Sequence, residues 1–276
     1  FGASEEVVGE AIKDRRDKVV LATKCGMVCR PDVGDFKFNS TSSGADKNGH
    51  IQIRIYQGAE SIRKEVEESL KRMQTDYIDL LQTHWQDSTT PISETMETLI
   101  EIKKEGKIRA IGVSNASVAH MKEYLAEGQL DTDQELYSML DRDIEKEQLP
   151  FCEKNNIAVL AYSPLARGLL TGKMSPERVF ASGDVRAGDP RFSVENRIKV
   201  AEMLEEFKPI AENHSIDMVQ LVTAWTLAQP GLTHTLCGMR NVKQAKQNAA
   251  AGRVELSQEE VDKITAILDK YADSIC

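Results

Sequence analysis

Asp79-Leu80-Leu81-Gln82-Thr83-His84-Trp85 is an apolar run that ends abruptly in a histidine and a tryptophan. Val19-Val20-Leu21-Ala22-Thr23-Lys24 upstream and Ile108-Arg109-Ala110-Ile111-Gly112-Val113-Ser114-Asn115 downstream end the same way, in groups able to act on a ligand. Short apolar runs of this kind read as buried strands. Reactive groups gathered at the carboxyl ends of successive parallel strands are how a (β/α) barrel builds one active site from distant sequence. An enzyme is the first expectation.

The periodicity predicts a helix over 4–13 capped by Ser4, a strand over 19–24, and then a polar connection over 26–58 rich in Gly, Ser, Asn and Asp. A loop that long reads as a lid or binding loop, and this one would overhang the strand ends. The alternation is then regular, with helix 59–73, strand 77–83, helix 92–105, strand 108–113, helix 117–127 and a weaker strand 132–137. Helix 143–155 leads to strand 157–162, and a second long connection covers 163–193. Helices 194–213, which Pro209 should kink, and 216–229 follow. Strand 232–237, a short helix from Asn241 and a last helix capped by Ser257 and Glu260 complete the chain. Six strands, each followed by a helix, predict a parallel α/β sheet or barrel. Neither G-x-G-x-x-G nor G-x-x-x-x-G-K-[ST] occurs, which argues against the Rossmann and P-loop forms.

The 276 residues suffice for one α/β barrel, and a hydrophobic fraction of 41% beside 29% charged residues is that of a globular protein and not a disordered one. A net charge of -9 repels nucleic acid and anionic lipid, so a small molecule is the expected partner and a phosphate-bearing one needs a local basic pocket. Cys25, Cys29, Cys152, Cys237 and Cys276 follow no disulfide or zinc spacing, and reduced thiols, no metal and a cytoplasmic location are expected. No apolar run reaches the ~20 residues of a membrane span.

Taken singly, the strand-end groups have ordinary readings. Lys24 could be a solvated lysine, His84 a hydrogen-bonded rim histidine, and Trp85 plain packing. Together, a cation and a histidine near one carbonyl oxygen lower the cost of negative charge there. Ser114, Asn115 and Gln134 suit an amide such as a nicotinamide carboxamide, or else simple turn and cap chemistry. Tyr162-Ser163-Pro164-Leu165 ends another strand with an aromatic face. Cys237-Gly238-Met239-Arg240-Asn241, with Gln244 and Asn248 following, pairs a glycine turn and an arginine with a helix N-terminus, as late-strand phosphate sites do.

These residues resemble the aldo-keto reductases. The likeness runs through Ser4-Glu5-Glu6, Ala22-Thr23-Lys24, Asp76-Tyr77-Ile78-Asp79-Leu80 to His84-Trp85, and Gly106-Lys107-Ile108-Arg109 to Gly112-Val113-Ser114-Asn115. It continues through Ala161-Tyr162-Ser163-Pro164-Leu165 to Gly172-Lys173 and the segment from Gly238 to Asn248. The chain is most similar to the bacterial general-stress branch, which is itself similar to the potassium-channel β subunits.

The resemblance implies an eight-stranded (β/α) TIM barrel that binds NADP(H) without a Rossmann domain. Hydride passes to an aldehyde or ketone while a tyrosine, acidified by a lysine and an aspartate, protonates the oxygen. It assigns Lys24 to that lysine, His84 to the substrate-orienting histidine, and Trp85 to the substrate pocket. Ser114, Asn115 and Gln134 match the carboxamide binders and Tyr162 the ring that stacks on the nicotinamide. Ser163, Leu165, Arg167 and Lys173 match the pyrophosphate wrap. Gly238, Arg240, Gln244, Gln247 and Asn248 match the adenosine 2'-phosphate end, where an arginine favours NADPH.

The family's Asp-Thr-Ala-x-x-Tyr-Gly segment does not occur in this sequence, and its tyrosine would fall just before Phe1. With two strands, roughly 50 residues, also unaccounted for, residues 1–276 are expected to be a single barrel domain that is N-terminally incomplete. An oligomer is compatible with the sequence. The rival reading is an NADP(H)-binding regulatory or scaffold subunit with little turnover, against which His84 speaks, since the channel subunits carry asparagine there. A barrel lyase using Lys24 as a Schiff-base nucleophile is a second.

Overall fold

The computed structural model describes residues 2–40 and 51–275. In chain order the elements begin α1 (Ala3–Ile12), β1 (Ala22–Cys25), β2 (Met27–Val28), β3 (Asp35–Ser40), β4 (Ile51–Ile55), α2 (Ala59–Met73) and β5 (Ile78–Thr83). They continue α3 (Ile92–Lys104), β6 (Ile108–Ser114), α4 (Val118–Glu127), β7 (Thr132–Leu136), α5 (Gln148–Lys154) and β8 (Ala158–Tyr162). The last are α6 (Val194–Asn213), α7 (Met218–Leu227), β9 (Leu232–Leu236), α8 (Val242–Ala251) and α9 (Gln258–Tyr271). They form two compact units, Phe1–Gln134 with Lys154–Ile157, and Glu135–Glu153 with Ala158–Cys276.

In the first unit β1, β5, β6 and β7 run parallel, with Ala22 opposite Leu80, Leu80 opposite Ala110, and Gly112 opposite Thr132. Their apolar residues Leu80, Leu81, Ile111 and Val113 are buried, as continuous apolar runs require of strands covered on both faces. Helix α2 turns Ile62, Val66, Leu70 and Met73 into the core and stops at Gln74, whose left-handed backbone (φ 52) lets Thr75 N reach Leu70 O at 3.2 Å. Helix α1 crosses α2 so closely that a Cβ on Gly9 would lie 2.7 Å from the Met73 backbone. Gly2, not Ser4, occupies the N-cap of α1 with a left-handed φ of 87, so the expected serine cap is not formed.

The connection over 26–58 is not the plain loop that its composition suggests. Strands β2 and β3 flank β4 in an antiparallel sheet; residues 41–50 of that stretch lie outside the described residues. The cause is the alternation Ile51-Gln52-Ile53-Arg54-Ile55, which buries Ile53 and Ile55, while Arg54 Nη2 donates to Gly34 O at 2.7 Å across the hairpin. Pairing in β3 slips between Phe36 and Phe38, because Phe36 faces Arg54 and Phe38 faces Ile53; Lys37 is the extra residue of a β-bulge.

In the second unit Tyr137 N donates to Tyr162 O at 3.3 Å, and β8 pairs in parallel with β9, Tyr162 opposite Leu236. The helix expected over 143–155 is a 3-10 turn at Asp143–Glu145 followed by the short α5. Helix α6 runs from Val194 to Asn213 with Pro209 inside it. The capping box of Ser257 and Glu260 starts α9 as its spacing predicts, and a second box, Asp217 with Gln220, starts α7. Trp225, fully buried, donates Nε1 to Thr265 Oγ1 at 3.2 Å and so ties α7 to α9. No helix among the described residues is long and apolar enough to cross a membrane.

Candidate active site

The register of β1 on β5 sets Lys24 opposite Gln82 and Cys25 opposite Thr83, and His84 N then donates to Cys25 O at 3.0 Å. Lys24 and His84 therefore emerge side by side. The His84 ring stacks on Trp85 with centroids 4.2 Å apart and planes 7° from parallel. Burial, reinforced by the positive charges of Lys24 and Lys37, lowers the His84 pKa from 6.5 to about 4. At neutral pH the ring is uncharged and carries one N–H donor. Burial likewise lowers the pKa of Lys24.

Both side chains line a cavity of about 670 Å³ that also holds Glu65. The Glu65 carboxylate accepts from Gly26 N at 2.8 Å and from Ser61 Oγ at 3.0 Å, and Arg30 Nη2 donates to the same serine at 2.7 Å. Burial outweighs these contacts and raises Glu65 to about 7. Glu65 sits one turn from Ile62 and Ser69 on the buried face of α2, so an acid inside an apolar stripe was the available sequence signal for it.

The three expected carboxamide residues do come together. Asn115, left-handed at φ 55, donates Nδ2 to His84 O at 3.0 Å and to Ser114 Oγ at 3.1 Å. Ser114 Oγ donates to Gln134 O at 2.8 Å, and Gln134 Nε2 donates to Gln82 Oε1 at 3.1 Å. Gln82 in turn donates to Val113 O and Thr132 Oγ1, so a residue that sequence reasoning passed over orients Gln134. Gly112 makes room for this network, because a Cβ there would lie 2.2 Å from Thr132 Oγ1 and 2.8 Å from Gln82 Cγ. The Trp85 ring carries Lys37 Nζ 4.1 Å above its centroid, and its carbonyl accepts from Gln57 Nε2 at 2.5 Å.

In the second unit a cleft of about 730 Å³ is lined by Ser163, Leu165, Arg167, Lys173, Gly238, Arg240, Gln244, Gln247 and Asn248, all nine expected phosphate-end residues. Arg178 and Arg186 line it too and were not foreseen, since nothing in their spacing marks them. Asn241 caps α8 by accepting from Gln244 N at 2.9 Å, and Gln244 Oε1 accepts from Arg240 N at 2.7 Å. Asn248 Nδ2 holds Gly238 O at 3.2 Å, while Gln247 is bonded to Asp217. The guanidinium of Arg167 is paired with Asp189 at 2.5 Å and lies over Phe192, whereas that of Arg240 has no acidic partner among the described residues. Tyr162 closes β8 with its ring half-buried; burial, then Glu135 and Asp141, raise its pKa. It is not among the residues lining the cleft.

Residues 1–269 match the Aldo/keto reductase family. The chain is 42% identical over 261 residues to the NADH-specific methylglyoxal reductase of Escherichia coli (strain K12), covering 93% of this chain and 77% of the relative. It is 38% identical over 272 residues to aldo-keto reductase YhdN of Bacillus subtilis (strain 168), covering 98% and 76%. The glycerol dehydrogenase AKR11B4 from Gluconobacter oxydans matches at a TM-score of 0.87 and 35% identity, covering 100% of this chain and 80% of that one. An aldo/keto reductase from Klebsiella pneumoniae in complex with NADP and acetate matches at 0.68 and 28%, covering 97% and 76%. With a lysine and a neutral histidine at adjoining strand ends and a family match over nearly its whole length, the chain belongs to the aldo/keto reductase family, an NAD(P)-dependent oxidoreductase with the α/β TIM-barrel fold.

Proposed function

We propose that this protein reduces small aldehydes and ketones to alcohols with NADPH. The observation that carries the reading is the pairing of Lys24 with His84, both desolvated and both facing one cavity. A dinucleotide fits the residues present. The second-unit cleft falls within the ~300–1,000 Å³ of ordinary ligand sites, and Lys173, Arg178 and Arg240 supply the charge that phosphates require in a chain of net charge -9, Arg186 being paired with Asp184 in the same lining.

A bound reduced nicotinamide supplies the hydride. Neutral His84 donates its N–H to the carbonyl oxygen and fixes the face presented, without adding a cation of its own. The Lys24 ammonium stabilises negative charge developing on that oxygen and on an acidic hydroxyl beside it. In the family that hydroxyl is the tyrosine of a motif that residues 1–276 do not contain. Ser114, Asn115 and Gln134 are the carboxamide ligands, held ready by their mutual bonds and by Gln82. Tyr162 offers its ring to the nicotinamide, Ser163, Leu165, Arg167 and Lys173 line the way for the pyrophosphate, and Trp85 forms the substrate wall. The adenosine end falls to Gly238, Arg240, Gln244, Gln247 and Asn248. Arg240, with a guanidinium unengaged by acids among the described residues, favours the 2'-phosphate of NADPH.

The test is NADPH oxidation with a panel of small aldehydes, on the full-length protein and on Lys24→Met. Turnover that collapses at least ~100-fold in the variant while NADPH still binds supports the reading. Tight cofactor binding without turnover in the unaltered protein would replace it with a regulatory subunit.

A further inference from the structure

We infer that Lys37 is a specificity-determining residue that selects carbonyl substrates bearing a carboxylate. This rests on the reductase reading above and names the substrate class of the same site. Three observations converge on it. The first is geometric. A regular β3 would give Lys37 a partner on β4, but the bulge makes it the unpaired residue between Phe36 and Phe38. Bulges beside active sites re-aim side chains, and this one delivers the ammonium to the Trp85 ring, 4.1 Å above its centroid.

The second is electrostatic. Asp35, two residues before Lys37, and Asp87, two residues after Trp85, are already engaged by other donors. Asp35 accepts from Ser88 N at 2.6 Å and Ser88 Oγ at 2.8 Å, and Asp87 accepts from Gln57 N at 2.8 Å and from Thr89. Among the described residues no carboxylate pairs with Lys37, which is solvent-exposed while its tip lies on the ring. Its charge is nonetheless felt at His84, the residue that faces the carbonyl. The third is the net charge of -9, which repels an anionic substrate at long range. Such a substrate needs a local cation at the mouth of the site. Lys24 acts on the reacting oxygen, and of the other cations lining that cavity Arg72 is paired with Glu5, Lys64 with Glu68, and Arg30 is turned to Ser61. Lys37, on the ring of the Trp85 that follows His84, is the cation left to meet a charge elsewhere on the substrate.

The experiment compares kcat/KM for benzaldehyde, 4-carboxybenzaldehyde and 4-formylphenyl phosphate in the full-length protein, Lys37→Gln and Lys37→Glu. The three aldehydes share one ring and differ in the para group. The unaltered enzyme should prefer the carboxylate. In Lys37→Gln that preference should fall about tenfold, and further in Lys37→Glu, while benzaldehyde changes at most about twofold. The preference should also fade with added salt in the unaltered enzyme and not in Lys37→Gln. A phosphate preference exceeding the carboxylate preference overturns the stated class. Benzaldehyde turnover with a carboxylate preference unmoved by either substitution refutes the role of Lys37 alone. Turnover of none of the three refutes the reductase reading, and the role of Lys37 with it.

Discussion

Replacing His84 with glutamine tests whether the ring is held neutral by its surroundings. The fold lowers its pKa from 6.5 to about 4, first through burial and then through Lys24 and Lys37. Fully developed, that difference corresponds to roughly 3 kcal/mol at 1.36 kcal/mol per pH decade. The folded pKa is the lower one, so the unfolded chain takes up the proton first. Stability from this group is complete above about pH 6.5 and is lost as pH falls toward about 4. The ring is only partly shielded, which screens the effect, and about 1 kcal/mol should be lost between pH 7 and pH 5. Urea unfolding of the unaltered protein and of His84→Gln at both values should show the unaltered protein losing about 1 kcal/mol more. Because two compact units could melt separately, a ring-proton titration by NMR gives an independent reading. Equal acid losses in the two proteins, or a His84 ring titrating near 6.5, would refute the reasoning, and with it the role of His84 as an uncharged donor.

Glu65→Gln should behave in the opposite sense. The folded carboxyl keeps its proton up to about 7, so its contribution is full below about 4.5 and is lost as pH rises through 7. The unaltered protein should therefore lose about 2 kcal/mol more than Glu65→Gln between pH 5 and pH 8 by urea unfolding. Gly112→Ala should cost about 2–3 kcal/mol and weaken cofactor binding, since its methyl would displace Thr132 and Gln82 and so release Gln134; cofactor fluorescence titration checks it. Arg240→Ala should weaken NADPH binding about tenfold and leave NADH within twofold; an equal loss for both would remove Arg240 from the 2'-phosphate.

The parallel strands and their polar ends were legible because their signals are local. An apolar run that stops at Lys24, His84 or Asn115 states where a strand ends, and caps such as Ser257 with Glu260 are written within four residues. The small antiparallel sheet was hidden in a stretch whose Gly, Ser and Asn content suggested a loop, although Ile51, Ile53 and Ile55 already alternated. Its register, and the bulge at Lys37, come from pairing between segments that composition does not relate. Gln82 was missed for a similar reason: its task appears only when Gln134 is brought beside it from 52 residues away. The serine expected to cap α1 lost that role to Gly2, whose left-handed backbone is a tertiary outcome beside Arg72.

The segment that runs along the second-unit cleft carries three non-glycine residues in left-handed backbone, Ser163 (φ 57), Ala166 (φ 44) and Arg167 (φ 53), followed by Gly168 at φ 97 and Gly172 at φ 68; of these Ser163, Arg167 and Gly168 line the cleft itself. Each side chain there costs about 1 kcal/mol that glycine would not. For an engineer this strain is only partly recoverable, because the Ala166 methyl is itself buried and its loss offsets much of the relief. Ala166→Gly relieves strain without removing a functional group, whereas the same relief at Arg167 would forfeit the cation that joins the loop to Asp189. Selection for heat resistance should therefore reach position 166 before 167.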